Sequence, residues 1–569
     1  MKNNIITPKT TLLLFLVAAL ALPLNSTFAQ SDSWASRAAA ITKGAKTHSQ
    51  KARAIYNWIC GNIAYDTEKK INTAEDCWEN HKGVCQAYAD LYVSLASAAG
   101  LEARTVKGNC AQNELKLSKK ATAKKLEPHN WVIVKVEKGE ILIDPTWGAG
   151  YVSSKDHTFH FNTNHDEWYD VDPYWMIFSH FPDKKEDQLI AQPIELKRFK
   201  NLPTLYPYLG LYGLDGKQIY DLCQERQRPP IFYDNYTYRP WTKVRLTNIP
   251  KNRTMIAGQT YTFEIEKIDP STSLSIVSSR HDSILEATPW LRTGKHFTIH
   301  VTPTSADTIS LNIGGSHAIS YNVELAGFSV TERQTVYFAP GNLRYDIRSK
   351  KYVFQQHQYD QPSSRSGKVE FFRWGTGENP TLDNADIANY ASFSDWGANV
   401  KPGKWRTLTI LEWRYLLTKR EGAKEKVALA SVCGRHGLLL LPDEWSTPKS
   451  CTFTPGFRRG YLTNVYNLKQ WEDMEKIGAI FLPAVGNLTP DGKEWGRYSY
   501  GRYWTATAET DKNSAGALIF GSDVISTGSD TRNYGLPVRL VKERPSSSAP
   551  AASSTQSPKT QQPKPSTTR

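Results

Sequence analysis

The sequence predicts a multidomain chain: a compact α+β unit, then a β-sandwich, then a mixed α/β unit. Three observations predict it. The 569 residues exceed what one hydrophobic core holds, since single cores stop growing at about 250–300 residues. The hydrophobic period is helical and then strand-like up to about residue 200, and purely strand-like from Leu205 to Gly327. Beyond Phe328 the composition shifts again, to Trp- and Gly-rich segments such as "FRWGTG" and "GRYWTATAE". The expected boundaries are 1–29 for a signal peptide, 30–200, 201–328 and 329–543 for the three units, and 544–569 for a disordered Pro/Ser/Thr tail.

The first segment is an export signal by pattern. Lys2 and Lys9 precede the apolar run "TLLLFLVAALAL", and Thr27 and Ala29 supply the small side chains a signal peptidase requires. The run is too short to span a bilayer, and no later segment is long and apolar enough to do so. An exported protein follows: periplasmic, cell-surface or secreted. The formal charge is +14, yet there is no dense Lys/Arg stripe and no nucleic-acid motif, so the excess reads as scattered solvated charge. Seven cysteines leave at least one without an intramolecular partner. Cys433 and Cys451 are close enough in sequence to pair. Neither Cys-x-x-Cys nor His-Glu-x-x-His occurs, so no metal site and no cofactor are expected.

In the first unit "SWASRAAAITKG" and "QKARAIYNWICGNIAYD" read as helices, the second with Ala52, Ile55, Tyr56 and Ile59 at helical spacing. "CQAYADLYVSLASAAG" is the next helix, with Ala87, Leu91, Leu95 and Ala98 on one face and Gly100 as its stop. "EARTVKGN" reads as a strand. "HNWVIVKV" and "ILIDPTW" read as a strand pair joined by a tight turn at Glu137 to Glu140. In the second unit "TKVRLTNIP", "TYTFEIEKI", "KHFTIHVTP", "TISLNIGG" and "HAISYNVEL" are short strands with turns between them, the pattern of a small sandwich. The closing "PSSSAPAASSTQSPKTQQPKPSTTR" lacks apolar side chains that could form a core.

One residue stands out. Cys85 heads the helix "CQAYADLYVSLASAAG". Unpaired amide hydrogens and the helix dipole at that position favour thiolate over thiol. A nucleophilic thiolate needs an imidazole to hold and return a proton, and a third group to orient the imidazole. His129 opens one strand of the pair and Asp144 closes the other, so the tight turn between them brings the two ends together. Cys85, His129 and Asp144 are therefore the candidate catalytic relay. His165 and His180, downstream, are expected to be dispensable to chemistry, and His129 and Asp144, at strand ends, to lie outside the core.

"KARAIYNWICGNIAYD", "KGVCQAYADLYVSLASAAGLEARTVKG", "HNWVIV" and "LIDPTWGAGY" resemble the transglutaminase-like superfamily, in a bacterial branch near the kyphoscoliosis peptidases. "YDVDPYWMIFSHFPDKKEDQLI" resembles that branch's continuation, so the likeness covers roughly residues 35–200. It implies a papain/transglutaminase-like fold with Cys85 as nucleophile, His129 as acid and base, and Asp144 as orienter. Two positions depart from the family pattern: Asn130 directly before Trp131, and Asp187 where an aromatic usually precedes the Gln-Leu pair. Neither is expected to touch the relay. The implied chemistry is acyl transfer from a peptide or protein amide, without a metal. Water as acceptor makes a cysteine peptidase or amidase; an amine makes a transglutaminase. The Cys85 backbone N–H is the expected oxyanion donor, with Trp78 and Tyr65 as candidates for a second.

"VYFAPGNLRY", "FRWGTG", "WRTLTILEWRYLL", "GLLLLPDEW" and "YGLPVRLVK" resemble a C-type-lectin-like module of bacterial surface proteins. The Glu-Pro-Asn, Gln-Pro-Asp and Trp-Asn-Asp triplets of calcium-dependent sugar sites are absent. The resemblance implies a targeting module for a cell-surface glycan or protein. The alternative to an enzyme is a non-catalytic or carbohydrate-binding adhesion protein built on the same scaffold.

Overall fold

The computed structural model describes residues 33–544, apart from 112–123, 154, 225–226, 234–238, 279–290, 363–366, 384, 401–403 and 458–459. The expected signal peptide, and the expected tail from residue 545 on, lie outside the described residues. The chain divides into two compact units, Met1–Pro207 and Tyr208–Arg569. Among the described residues no helix is long and apolar enough to cross a membrane.

The first unit begins with helices α1 (Trp34–Ile41) and α2 (His48–Asn62). Each starts in a capping box, from Ser33 and Thr47, which satisfies amide hydrogens that the first turn leaves without partners. The predicted face of α2 is the buried one: Ala52, Ile55, Tyr56 and Ile59 are fully enclosed. Two short parallel strands follow, β1 (Ala64–Tyr65) and β2 (Lys82–Gly83), with α3 (Ala74–Asn80) between them. The buried Asp66 carboxylate fixes the connecting loop by accepting from the amides of Glu68, Lys70 and Ile71.

Helix α4 (Cys85–Ala98) crosses the middle of the unit and packs on α1, α2, α3 and the sheet. Its Ala87, Leu91 and Leu95 are buried as predicted, with Tyr88 and Tyr92 beside them. Ala98 is exposed instead, because the helix ends there and its last turn clears the core. The sheet is antiparallel, in the order β8 (Tyr169–Val171), β5 (Gly139–Ile143), β4 (Leu126–Val136), β3 (Ala103–Ala111), β9 (His180–Pro182). The expected β4–β5 hairpin is present, with Val136 paired to Gly139. "DPTW", which composition alone would make a turn, opens a short helix α5 (Pro145–Ala149) capped by the Asp144 side chain.

Gly108 lets β9 join this sheet. A Cβ there would run into the Phe181 carbonyl and the Trp131 ring, so only glycine permits the approach.

In the second unit, strands between Ile231 and Glu324 form a five-stranded and a four-stranded sheet. Val244, Leu246, Phe263, Ile299, Leu311 and Tyr321 are buried. After them Phe328–Ser329, Thr335–Phe338, Leu540–Glu543 and Trp405–Thr407 make one four-stranded sheet in that order. The last strand among the described residues is thus internal to a sheet whose first strand lies over two hundred residues earlier. The Trp-rich segments are core: Trp374, Trp396, Trp413, Trp471 and Trp504 are almost wholly enclosed. The pairing considered for Cys433 and Cys451 is absent; none of the seven cysteines forms a disulfide, and Cys451 Sγ is 3.5 Å from the Gln470 carbonyl.

Candidate active site

Cys85 is the first residue of α4, and the cap residue before it, Val84, has no side-chain hydrogen bond to offer. The first-turn amides therefore keep their partial positive charge for the thiol. Cys85 is partly exposed, whereas Cys60, Cys77 and Cys110 are buried. Burial raises the Cys77 thiol to about 12 and the Cys110 thiol beyond the ordinary range. Burial also works against the Cys85 thiolate, but the hydrogen bond and charge of His129, with the Asn130 backbone amide, outweigh it and hold its pKa below the ordinary value.

His129 lies in β4, paired with Gly108. Its Nε2 is 2.7 Å from Asp144 Oδ2, and its ring is close enough to Cys85 that each favours the charged form of the other. Burial opposes the charged ring; the charge and hydrogen bond of Asp144, then Cys85, lift it to about 9. The Asp144 carboxylate is wholly enclosed. Burial would raise it, yet His129 first and His180 second hold it well below the usual carboxylate range. Its Oδ1 accepts from the amides of Thr146 at 2.9 Å and Trp147 at 3.0 Å. The structure thus brings all three predicted residues into one connected chain of contacts. It corrects their expected setting: His129 and Asp144 are core residues, and the rings of Trp131 and Trp147 lie against the His129 imidazole.

His180 is the residue sequence reasoning misplaced. Expected to be dispensable, it is buried at the head of β9 with Nε2 3.1 Å from Asp144 Oδ2. Burial drives its pKa down to about 4. No local signal could have found it: it is thirty-six residues from Asp144 in sequence and reaches it only through the β3–β9 pairing. His165 stands apart, its Nδ1 2.7 Å from the Gly148 carbonyl.

Asn130 is also corrected. Its Nδ2 lies 3.9 Å from Cys85 Sγ, so this departure from the family pattern does touch the relay. Asp187 does not; it receives Arg104 Nε at 3.1 Å and Nη2 at 3.0 Å. Of the two expected oxyanion donors, Tyr65 is paired with Gly83, two residues before Cys85. Burial, then the Cys85 charge, raises its hydroxyl to about 12. Trp78 is engaged elsewhere, stacked 4.6 Å from Trp58 with the Arg37 guanidinium over it. His129, Asp144 and His180 offer nitrogen and oxygen atoms within 4.8 Å of one another. Two hydrogen-bond contacts already join those atoms: His129 Nε2 and His180 Nε2 both face Asp144 Oδ2.

Residues 35–173 match the sequence profile of the Transglutaminase-like superfamily, so the first unit carries a transglutaminase-like domain. That superfamily includes cysteine peptidases and transglutaminases. Among curated proteins, the chain is 30% identical over 158 residues to the Kyphoscoliosis peptidase of Mus musculus, covering 27% of this chain and 23% of that protein. It is 29% identical over 167 residues to the Homo sapiens Kyphoscoliosis peptidase, covering 28% and 25%. The chain thus spans about a quarter of the length of these relatives. Among solved structures, red sea bream transglutaminase aligns over 56% of this chain and 63% of its own at 10% identity, with a TM-score of 0.16, a likeness too slight to bear on the site.

Proposed function

We propose that the first unit is a thiol enzyme that transfers acyl groups from peptide or protein amides, with Cys85 as nucleophile, His129 as acid and base, and Asp144 as orienter. The observation that carries this reading is the unbroken series of contacts from Cys85 through His129 to a buried, fully hydrogen-bonded Asp144. The Cys85 thiolate adds to the amide carbonyl carbon, and the oxyanion is met by the Cys85 N–H and the Tyr65 hydroxyl. His129 gives its proton to the departing nitrogen as the C–N bond breaks, leaving a thioester. His129 then takes a proton from the acceptor that attacks the thioester, and returns it to the Cys85 sulfur as the thiol leaves. With water the enzyme is a peptidase or amidase; with an amine it cross-links.

The test is an electrophilic amide-mimicking probe followed by mass spectrometry. Label on Cys85, abolished in Cys85→Ala, supports the reading; label spread over Cys60 and Cys110 at equal rates defeats it. Adding a primary amine during turnover separates the two acceptors by the product formed.

The N-terminal pattern of Lys2, Lys9 and the apolar run before Ala29 supports an exported protein. Residues 201–328 serve as a β-sandwich spacer and residues 329–543 as a C-type-lectin-like targeting module for a surface glycan or protein. Glycan-array binding by the full chain that survives Cys85→Ala would instead favour the adhesion reading.

A further inference from the structure

The Asp144 carboxylate has about four lone-pair positions, and all are occupied. Two backbone amides, Thr146 and Trp147, fix Oδ1. Two imidazoles, His129 at 2.7 Å and His180 at 3.1 Å, share Oδ2. Nothing in acyl transfer requires the second imidazole. It does not contact Cys85, and it is 1% exposed, so it meets no substrate. Yet it is held with care. Ser179 Oγ is 2.8 Å from its Nδ1, and the rings of Trp131, Trp147 and Trp168 lie 5.0, 4.7 and 5.3 Å away. The Asp144 carboxylate only accepts, so a neutral His180 carries its proton on Nε2, facing Asp144, and its Nδ1 is left to accept from the Ser179 hydroxyl.

We propose that His180 is a positioning residue: its Nε2–H pins Asp144 Oδ2 and takes a share of the carboxylate's charge, which sets the pH at which His129 gives up its proton. This rests on the acyl-transfer reading of the site. The charged and titratable groups facing His180 are Asp144, His129 and Lys124; burial keeps its own ring neutral against them at working pH. A neutral donor on Oδ2 weakens the hold of Asp144 on the His129 imidazolium. Without it, the full charge falls on His129. The imidazolium then survives to higher pH and becomes a poorer acid toward the leaving amine. Ser179 acts one step further out, by fixing the tautomer.

The readout is the pH profile of iodoacetamide alkylation at Cys85 in the full chain, followed by mass spectrometry, which requires no knowledge of the substrate. The wild-type profile has an upper inflection near pH 9, where the imidazolium beside the thiolate is lost. His180→Phe, which keeps the ring volume, moves that inflection up by about one pH unit, and His180→Gln, which restores an N–H donor, brings it back. A folded His180→Phe with an unmoved inflection overturns the proposal. So does a uniform loss of rate that His180→Gln does not rescue, since that is what a space-filling ring alone would give. If tryptophan fluorescence shows His180→Phe unfolded, Ser179→Ala decides: a smaller upward shift supports the proposal and an unchanged profile overturns it. A wild-type profile without the inflection overturns the acyl-transfer reading itself, and is distinguished from the other failures by appearing before any substitution.

Discussion

At the scale of single residues, burial gives His129 and Asp144 a part in stability as well as in the proposed chemistry. Asp144→Asn sets its NH2 group against either two backbone amides or two imidazoles, so the contacts on that side become donor against donor unless the imidazoles change tautomer. Turnover is expected to fall by about 10⁴-fold, as when the orienting carboxylate of such a relay is lost, and the melting temperature of the first unit to fall as well. His129→Ala is expected to abolish turnover and to blunt Cys85 alkylation near neutral pH. Parallel assays with circular dichroism on each variant check both. The charges also shape stability against pH. Folding raises His129, so its contribution is whole below about 6.5 and is lost as the pH climbs through about 9. Folding depresses His180, so its contribution is present above about 6.5 and is lost as the pH falls toward about 4. Asp144, also depressed, adds to the acid-side loss. The melting temperature of the first unit is therefore expected to peak between these limits, and a melt series across pH that rises steadily to pH 9 would contradict the assignment.

At the scale of elements, the parts legible in the sequence were those whose signal is local. The face of α2, the body of α4 and the β4–β5 hairpin follow from periodicity and one turn; Cys85 heads α4 and Asp144 follows β5 as expected, whereas His129 lies inside β4, which begins three residues earlier than the sequence suggested. What escaped was set by pairing between distant strands. β9 is three residues long and carries no strand period, yet its register against β3, with Cys110 opposite His180, is what delivers the second imidazole. Burial escaped for the same reason, because a strand end is exposed or enclosed according to what lies over it, here tryptophans from other segments. Gly108 tests the importance of that pairing. Gly108→Val must push against the Phe181 backbone and the Trp131 ring. It is expected to cost about 1–3 kcal/mol, as overpacking does, and to lower turnover by shifting β9. Chemical denaturation beside the activity assay measures both.

At the scale of the whole molecule, the chain passes from one compact unit to the other between Pro207 and Tyr208, and the candidate relay belongs to the first alone. A covalent label on Cys85 is expected to shift one calorimetric transition and leave the other in place; a shift of both would mean the units unfold together. Cys433 and Cys451, free thiols in the second unit, should be dispensable to the first, so their double serine variant is expected to keep full turnover. Sequence reading saw the shift to Trp- and Gly-rich segments, because composition is local. It could not see that those tryptophans are enclosed by strands far away in the chain.

The strand Leu540–Glu543 lies between Thr335–Phe338 and Trp405–Thr407 and pairs with both. On the ribosome the two flanking strands therefore emerge long before the one that joins them, and they wait with their facing edges unsatisfied while the intervening chain is made. A premature stop a few codons ahead of Leu540 would take the middle out of a sheet already waiting for it. Nearly complete chains should then go to chaperones or proteases as readily as much shorter ones.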